Sequence, residues 1–302
     1  MLETFDEVII VGGSGFTGQR VVKKLTELDK KVYGLARSSV AKNILEAIGA
    51  VAVAGSLDEG NIGRLLSSAS NLERTAFMYL ASMGFGHVEP VVQALNESGI
   101  KRALFTSTSS IFTKIPTASK EVRMKAEEAV KISNLDWTII RPTMIYGDIG
   151  DRNIERLIKY LLKSPFGVLP AIDRGDALQQ PVHVEDLARA MVEALGREKA
   201  IGQSYEIGGP EALSLKELFK IVCNSVGKKF IPVEVPSRAI LPIFNVYEKI
   251  SKKPRIKGEQ IKRITEDKNV SIEKARDQLN YNPRNFQQGV TGEFISIKSA
   301  RK

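Results

Sequence analysis

The chain has 302 residues, 43% hydrophobic and 26% charged, with mean hydropathy −0.11 and a formal net charge of +9. That length suits one large domain or a domain plus a lobe, and no apolar run approaches the ~20 residues that span a bilayer. A single cysteine, Cys223, and only two histidines, His87 and His183, exclude a disulfide framework and a Cys/His metal centre, so no metal is expected.

The acidic start, Met1 to Glu7, lacks the basic and apolar regions of a secretory signal, which points to a cytoplasmic protein. The first expected strand is 7–11, Val8-Ile9-Ile10-Val11, and it runs into Gly12-Gly13-Ser14-Gly15-Phe16-Thr17-Gly18 and a helix near 16–28. This order of strand, glycine turn and helix suits a dinucleotide pyrophosphate. Gly12 allows the sharp turn, Gly15 lets backbone approach phosphate, and Gly18 lets the helix pack against the strand. The helix N-terminus offers free N–H groups to the anion.

Strand and helix signals then alternate. Strands are expected at 31–36, 50–54, 75–80, 102–106 and 137–140, with helices near 39–48, 58–69, 86–98 and 119–132. Continuous apolar strands between amphipathic helices imply a parallel sheet covered on both faces. The fold class is therefore α/β, a doubly wound (Rossmann) parallel sheet, with its ligand at the carboxyl ends of the strands. After Pro142 the rhythm breaks. Helices are expected at 151–163 and 183–196 and a strand at 204–207, and Ser214 with Glu217 forms a capping box. Cys223 sits on an apolar helical pattern and reads as core. Beyond about 228 the pattern is shorter and more basic. We expect a Rossmann domain over 1–142 plus about 183–208, and a substrate lobe over about 143–182 and 209–302.

Strand 2 ends in Ala36-Arg37-Ser38, where an NAD-specific site usually carries a carboxylate for the ribose 2′-hydroxyl. Arg37 is suited instead to a 2′-phosphate, so NADP is the expected cofactor and NAD the alternative. Residues 241–302 hold 14 Lys or Arg against 7 Asp or Glu, a local net charge of +7. This excess suits an anionic small molecule or is merely solvated surface; no aromatics interleave with it, and no nucleic-acid partner is expected. The apolar stretch Ala239–Ile250, followed by basic Ser251–Arg255, is weighed as a substrate roof or a membrane-surface contact, but reads better as lobe core.

Several separated segments resemble the extended or atypical short-chain dehydrogenase/reductases, the NAD-dependent epimerase/dehydratase-like family. They are Gly12–Gly18, Ala103–Thr108, Arg141–Gly147, Pro181–Ala188 and Tyr205–Pro210, with Asn280–Arg284 similar to the family's late Leu-Gly-aromatic-x-Pro segment. The resemblance covers nearly the whole chain. It implies that Ser14, Phe16 and Thr17 join the glycines at the cofactor, that Ser38 flanks the 2′ position, and that Ser56 and Leu57 lie near adenine. It also implies that Leu80, Ala81 and Ser82 pass the pyrophosphate and nicotinamide ribose, and that Pro142 borders the nicotinamide. Helices 86–98 and 119–132 would form a dimer face, as in related proteins.

The family pairs a Ser/Thr with a Tyr and a Lys, the Tyr exchanging a proton while hydride moves. Thr108 and Lys125 match the first and last. Four residues before Lys125 stands Glu121, and no Tyr lies between Tyr79 and Tyr146. Three readings follow. Another group gives the proton, with Glu121, Lys125 or Tyr146 as candidates; or the protein binds NADP(H) without turnover, as a sensor or assembly subunit; or Glu121 is a solvated partner of Lys125 at i,i+4. On the substrate side, Arg152 and Arg156 are four apart and, with Arg284, are suited to a phosphate or diphosphate. Tyr146 and His183 complete the expected substrate contacts. A nucleotide-sugar or related phosphorylated sugar would suit this lobe, with hydride chemistry at a hydroxyl or carbonyl carbon.

Overall fold

The computed structural model describes residues 4–57, 60–240 and 262–300. Strand β1 (Glu7–Val11) is buried along its whole length and sits mid-sheet. Its even-numbered side chains, Val8 and Ile10, enter one core, and Ile9 and Val11 the other. That alternation across a fully buried strand requires helices on both faces. Strands β2 (Lys31–Ala36), β3 (Val51–Ala54), β4 (Thr75–Tyr79), β5 (Arg102–Thr106), β6 (Asp136–Pro142) and a later strand, Gln203–Ile207, complete a seven-stranded sheet. Its order is β3-β2-β1-β4-β5-β6 followed by the late strand, and every pairing is parallel. This is the doubly wound fold expected from the sequence.

Helices α1 (Phe16–Thr26) and α2 (Ser39–Ala47) cover one face. Helices α3 (Ile62–Leu66), α4 (Val88–Ser98) and α5 (Ala118–Lys131) cover the other. α3 is shorter than its pattern suggests. Gly60 takes a positive φ before it, and the hydroxyls of Ser67 and Ser68 turn back onto the carbonyls of Gly63 and Arg64. Asp58 and Glu59 lie outside the described residues.

After β6 the chain forms β7 (Ile145–Tyr146), α6 (Ile154–Lys163), β8 (Gly167–Ile172), β9 (Leu178–Gln179) and β10 (Val182–His183). It then returns through α7 (Val184–Gly196), which packs on α1, to the seventh sheet strand, β11 (Gln203–Ile207). β12 (Leu213–Ser214), α8 (Leu215–Ser225) and β13 (Phe230–Val235) follow, with the expected Ser214/Glu217 capping box in place. β13 pairs in parallel with β8. The last elements are α9 (Glu273–Leu279) and α10 (Phe286–Ser299).

A third core, built from Ile154, Ile158, Leu161, Leu169, Leu218, Val222, Cys223, Phe286, Val290 and Ile297, is the centre of the lobe. Cys223 is fully buried there. Ile272, Ala275, Leu279 and Tyr281 join the first sheet core instead, so the C-terminal stretch divides between domain and lobe. Most of the apolar-basic stretch 239–255 lies outside the described residues. No described helix is long and apolar enough to cross a membrane.

Candidate functional site

The glycine turn after β1 is shaped by steric necessity. Gly12 has φ +87°, and a Cβ on it would lie 2.7 Å from the Ala81 amide nitrogen, so the turn rests directly on the end of β4. A Cβ on Gly18 would press into the Gly12 carbonyl and sit 2.8 Å from Gly13, which is how α1 reaches so close to β1. A Cβ on Gly15, the residue before α1, would lie 3.2 Å from the Gly12 carbonyl oxygen. α1 starts without a side-chain cap and without acidic residues in its first turn. Its N–H groups and dipole therefore face the opening with no capping side chain or first-turn carboxylate before them, the arrangement that accepts an anion.

This opening is one wall of a cleft of about 510 Å³. The glycine side supplies Gly12, Gly15, Phe16, Thr17 and Gly18, and Leu80 closes the end. The facing wall is Ile145 together with Ile149–Asn153. The turn Gly147–Asn153 thus straps across the mouth of the glycine cradle. It is pinned at several points. Asp148 Oδ2 accepts from Arg20 Nη2 at 2.5 Å, and Arg20 also lies over the Phe16 ring. Gly150 has φ +103°, and a Cβ on it would point at the Phe16 ring. The Asp151 carboxylate accepts the N–H groups of Asn153, Ile154 and Glu155, capping α6.

The other cofactor positions lie along the same strand ends. Arg37 is exposed just beyond β2, and the Ser38 hydroxyl caps α2 by accepting the Ala41 N–H. Ser56 and Leu57 are half-buried after β3, with Leu57 against the second core. Ala81 and Ser82 are half-buried after β4, and Ser82 accepts the Gly84 N–H. Pro142 is buried beside Ile207. Ser14 is half-buried, and its carbonyl accepts from the Gln19 amide.

A second cleft, of about 630 Å³, opens between the ends of β5 and β6 and the segment 263–270. Thr108 and Phe112 line one side, and Arg263, Glu266 and Lys268 the other. Its carboxylates are already engaged: Glu266 accepts from the Thr113 hydroxyl (2.5 Å) and the Lys114 N–H (3.0 Å), and Asp267 from the Leu178 N–H (2.9 Å). Burial, with Arg263 nearby, lowers the Lys268 ammonium below the usual lysine range, and burial first, then Arg263, lowers Arg123. Lys114, Arg263 and Lys268 against Glu266 and Asp267 leave the lining with a small positive excess. Asn153 lines both clefts, so the two meet there. Lys268 and Asn153 were not singled out in the sequence; the basic excess of 241–302 was the available signal for the first, and none existed for the second.

The expected catalytic trio does not assemble. Thr108 lines the lobe cleft, where its hydroxyl accepts the Ser110 N–H. Glu121 and Lys125 are exposed on α5, and neither lines either cleft. Behind the cleft, the β6 end is occupied by Arg141, which donates to both oxygens of buried Glu127 (2.9 and 2.5 Å) and to Glu206 (2.8 Å). Burial pushes the Glu127 carboxyl up, and bonding to Arg141 more than reverses it.

The substrate-side expectations need correction. Tyr146 is 1% exposed, its hydroxyl has no hydrogen-bond partner, and its ring packs on Phe286, His183 and the bare Cα of Gly289. It faces the lobe core, not a ligand. His183 is buried and caps α7, its Nδ1 accepting the Glu185 N–H; burial and Arg284 hold its pKa down to about 4, so the ring is neutral. Arg284 donates to Asp186 through Nε (2.9 Å), Nη2 (3.0 Å) and its backbone N–H (3.0 Å) and is structural. α6 begins at Ile154, so Arg152 precedes it and lines the cofactor cleft, while Arg156 is exposed on α6 and lines neither cleft. The expected three-arginine clamp is therefore not formed.

A family model described as NAD(P)H-binding matches residues 12–198. The chain belongs to that NAD(P)H-binding family. Within it, this NAD(P)H-binding protein is similar to NADH dehydrogenase [ubiquinone] 1 alpha subcomplex subunit 9, mitochondrial, of Arabidopsis thaliana, 26% identical over 72% of this chain and 57% of that subunit. The chain thus spans only about half the length of that relative. It is also similar to short-chain dehydrogenase/reductase family 42E member 1 of Mus musculus, 23% identical over 93% of this chain and 85% of that protein. Its fold is shared with the UDP-glucuronic acid 4-epimerase from Bacillus cereus, crystallised with UDP-glucuronic acid and NAD: TM-score 0.75, 16% identity, 97% and 99% of the two chains covered. The extended dehydrogenase/reductase resemblance read from the sequence therefore holds for this NAD(P)H-binding protein.

Proposed function

We propose that this is an NADP(H)-dependent oxidoreductase- or epimerase-like protein that holds its dinucleotide in the glycine cradle and an anionic, nucleotide-sugar-like molecule in the lobe cleft. The observation that carries the reading is the junction at Asn153, where a ligand in one cleft adjoins a ligand in the other. The residues present fit the cofactor: the uncapped α1 start leaves its N–H groups open to phosphate, and the bare Gly12, Gly15 and Gly18 let the turn and α1 pack closely enough to form the cradle. Gly12, Ser14, Gly15, Phe16, Thr17 and Gly18 would hold the pyrophosphate, and Arg37 and Ser38 the 2′-phosphate. Ser56 and Leu57 would flank adenine. Leu80, Ala81, Ser82 and Pro142 would border the nicotinamide end, which Lys125, exposed on α5, does not reach in this arrangement. When bound, the cofactor supplies or accepts hydride. Thr108, in the lobe cleft, would bond the substrate oxygen. The half-buried Lys268 ammonium, with Arg263, supports an anionic occupant, and the epimerase that shares the fold was crystallised with a nucleotide-sugar.

A second reading rests on Glu121, exposed where the family places its tyrosine, and on similarity to a respiratory-complex subunit. It makes the chain a cofactor-binding sensor or assembly subunit. Mass spectrometry of nucleotide carried through purification, followed by NADPH and NADH titrations, tests the shared core of both. Deuteride transfer from C4-labelled NADPH to a UDP-keto-sugar, or from a carbinol-deuterated UDP-sugar to NADP+, separates them: transfer supports the enzyme, and stoichiometric binding without transfer across such substrates supports the subunit.

A further inference from the structure

Arg152 is the one arginine of the expected phosphate clamp that faces a cleft, and that cleft is the cofactor's. Three charged side chains line it: Arg20, Asp151 and Arg152. Arg20 is held by Asp148 and Glu185. Asp151 is turned onto the α6 N–H groups. Arg152 is exposed and makes no hydrogen bond or ion pair with any described residue. The glycine turn and α1 can bond a pyrophosphate from one side only. On the opposite wall, Ile145 and Ile149 are apolar and Gly150 has no side chain, so Arg152 is the cation able to meet the anion from across the cleft.

We propose that Arg152 is a pyrophosphate-binding residue of the dinucleotide site, carried on the strap Gly147–Asn153, and not a substrate contact. This rests on the dinucleotide reading above. The strap's anchors preorganise it: the Arg20–Asp148 pair fixes one end, and the Asp151 cap fixes the other. A guanidinium presented this way loses little freedom on binding and offers paired N–H donors to phosphate oxygens. The strap also covers the cofactor from the lobe side, so dinucleotide binding reaches the junction with the lobe cleft through Asn153.

The test is isothermal titration of the full chain and its R152A and R152K variants with NADPH, NADH, ADP-ribose and UDP-glucuronic acid. For R152A, the loss of one charge-assisted contact should weaken NADPH, NADH and ADP-ribose alike, by about 10- to 100-fold. R152K should recover part of that loss, and UDP-glucuronic acid should be unaffected. Because Arg152 is exposed and unpaired, the ligand-free melting temperature should stay unchanged. Affinities for NADPH, NADH and ADP-ribose all within twofold of wild type overturn the proposal. So does a loss confined to NADPH, which moves Arg152 to the 2′-phosphate, or a loss confined to UDP-glucuronic acid, which returns it to the substrate. Wild-type protein that binds none of the three removes the dinucleotide reading itself, and the proposal with it.

Discussion

Arg37 and Glu293 carry opposite lessons about single charges. Arg37 is exposed at the end of β2, so its charge is available to a ligand. R37A should weaken NADPH by about tenfold, roughly 1.4 kcal/mol, and leave NADH within twofold. Equal affinities for both cofactors before and after the change would end the selector role. Glu293 is fully buried on α10, with the Asp151 carboxyl and the Gly147 backbone beside it. Burial first, then Asp151, pushes its pKa up to about 9. The folded state therefore keeps a proton that the unfolded chain releases above its own carboxylate pKa. Stability from this group is present below that lower value and is lost as pH rises toward the folded pKa. E293Q should flatten the loss between about pH 5 and pH 9 and add up to about 3 kcal/mol at pH 7, read by urea unfolding across pH. At this scale the sequence displayed chemistry but not direction. Tyr146, His183 and Arg284 stand in motifs that suggest ligand contacts, yet Gly289, the α7 N-terminus and Asp186 turn each of them inward.

Elements were legible where burial is continuous. The strands β1, β2, β4 and β5 carry continuous buried apolar runs between polar ends, and the helices between them carry a clear 3.6-residue stripe, so the first half of the fold could be read directly. β13 could not: four consecutive residues are exposed, so it has no alternation to detect. The two-residue strands β7, β9, β10 and β12 are too short to show a period. α10 hides for a different reason. Its buried stripe runs Phe286, Gly289, Val290, Glu293 and Ile297, with a glycine and a carboxylic acid standing where apolar residues would announce a helix. The glycine cradle was visible because backbone geometry admits no other residue. G18A should force α1 away from β1, lower stability by about 1–3 kcal/mol, and abolish dinucleotide binding. Retained NADPH affinity in G18A would contradict the close-packing argument. The start of α6 was misplaced because Asp151, not an apolar repeat, sets it.

At the scale of the whole molecule, domain and lobe are fastened by few charges. Asp186, on α7, binds the backbone and side chain of Arg284 just before α10 enters the lobe core. Asp186 is 1% exposed and Arg284 37% by side chain. D186A would strand a half-buried cation and unpaired donors, and should destabilise the chain by about 3 kcal/mol; a shift under 0.5 kcal/mol in urea unfolding would show that apolar packing alone holds α10. The sheet itself depends on a distant return. β6 ends at Pro142, its neighbour β11 begins at Gln203, and most of the lobe's first half is made in between. During synthesis, β6 emerges with its outer edge unpaired and stays so until β11 leaves the ribosome. An open edge of apolar backbone is a template for pairing with other chains. The interval between those two strands is thus the window in which a nascent chain is most exposed to aggregation and most in need of a chaperone. Messages that stall translation there should yield insoluble product, whereas stalling after Ile207 should not.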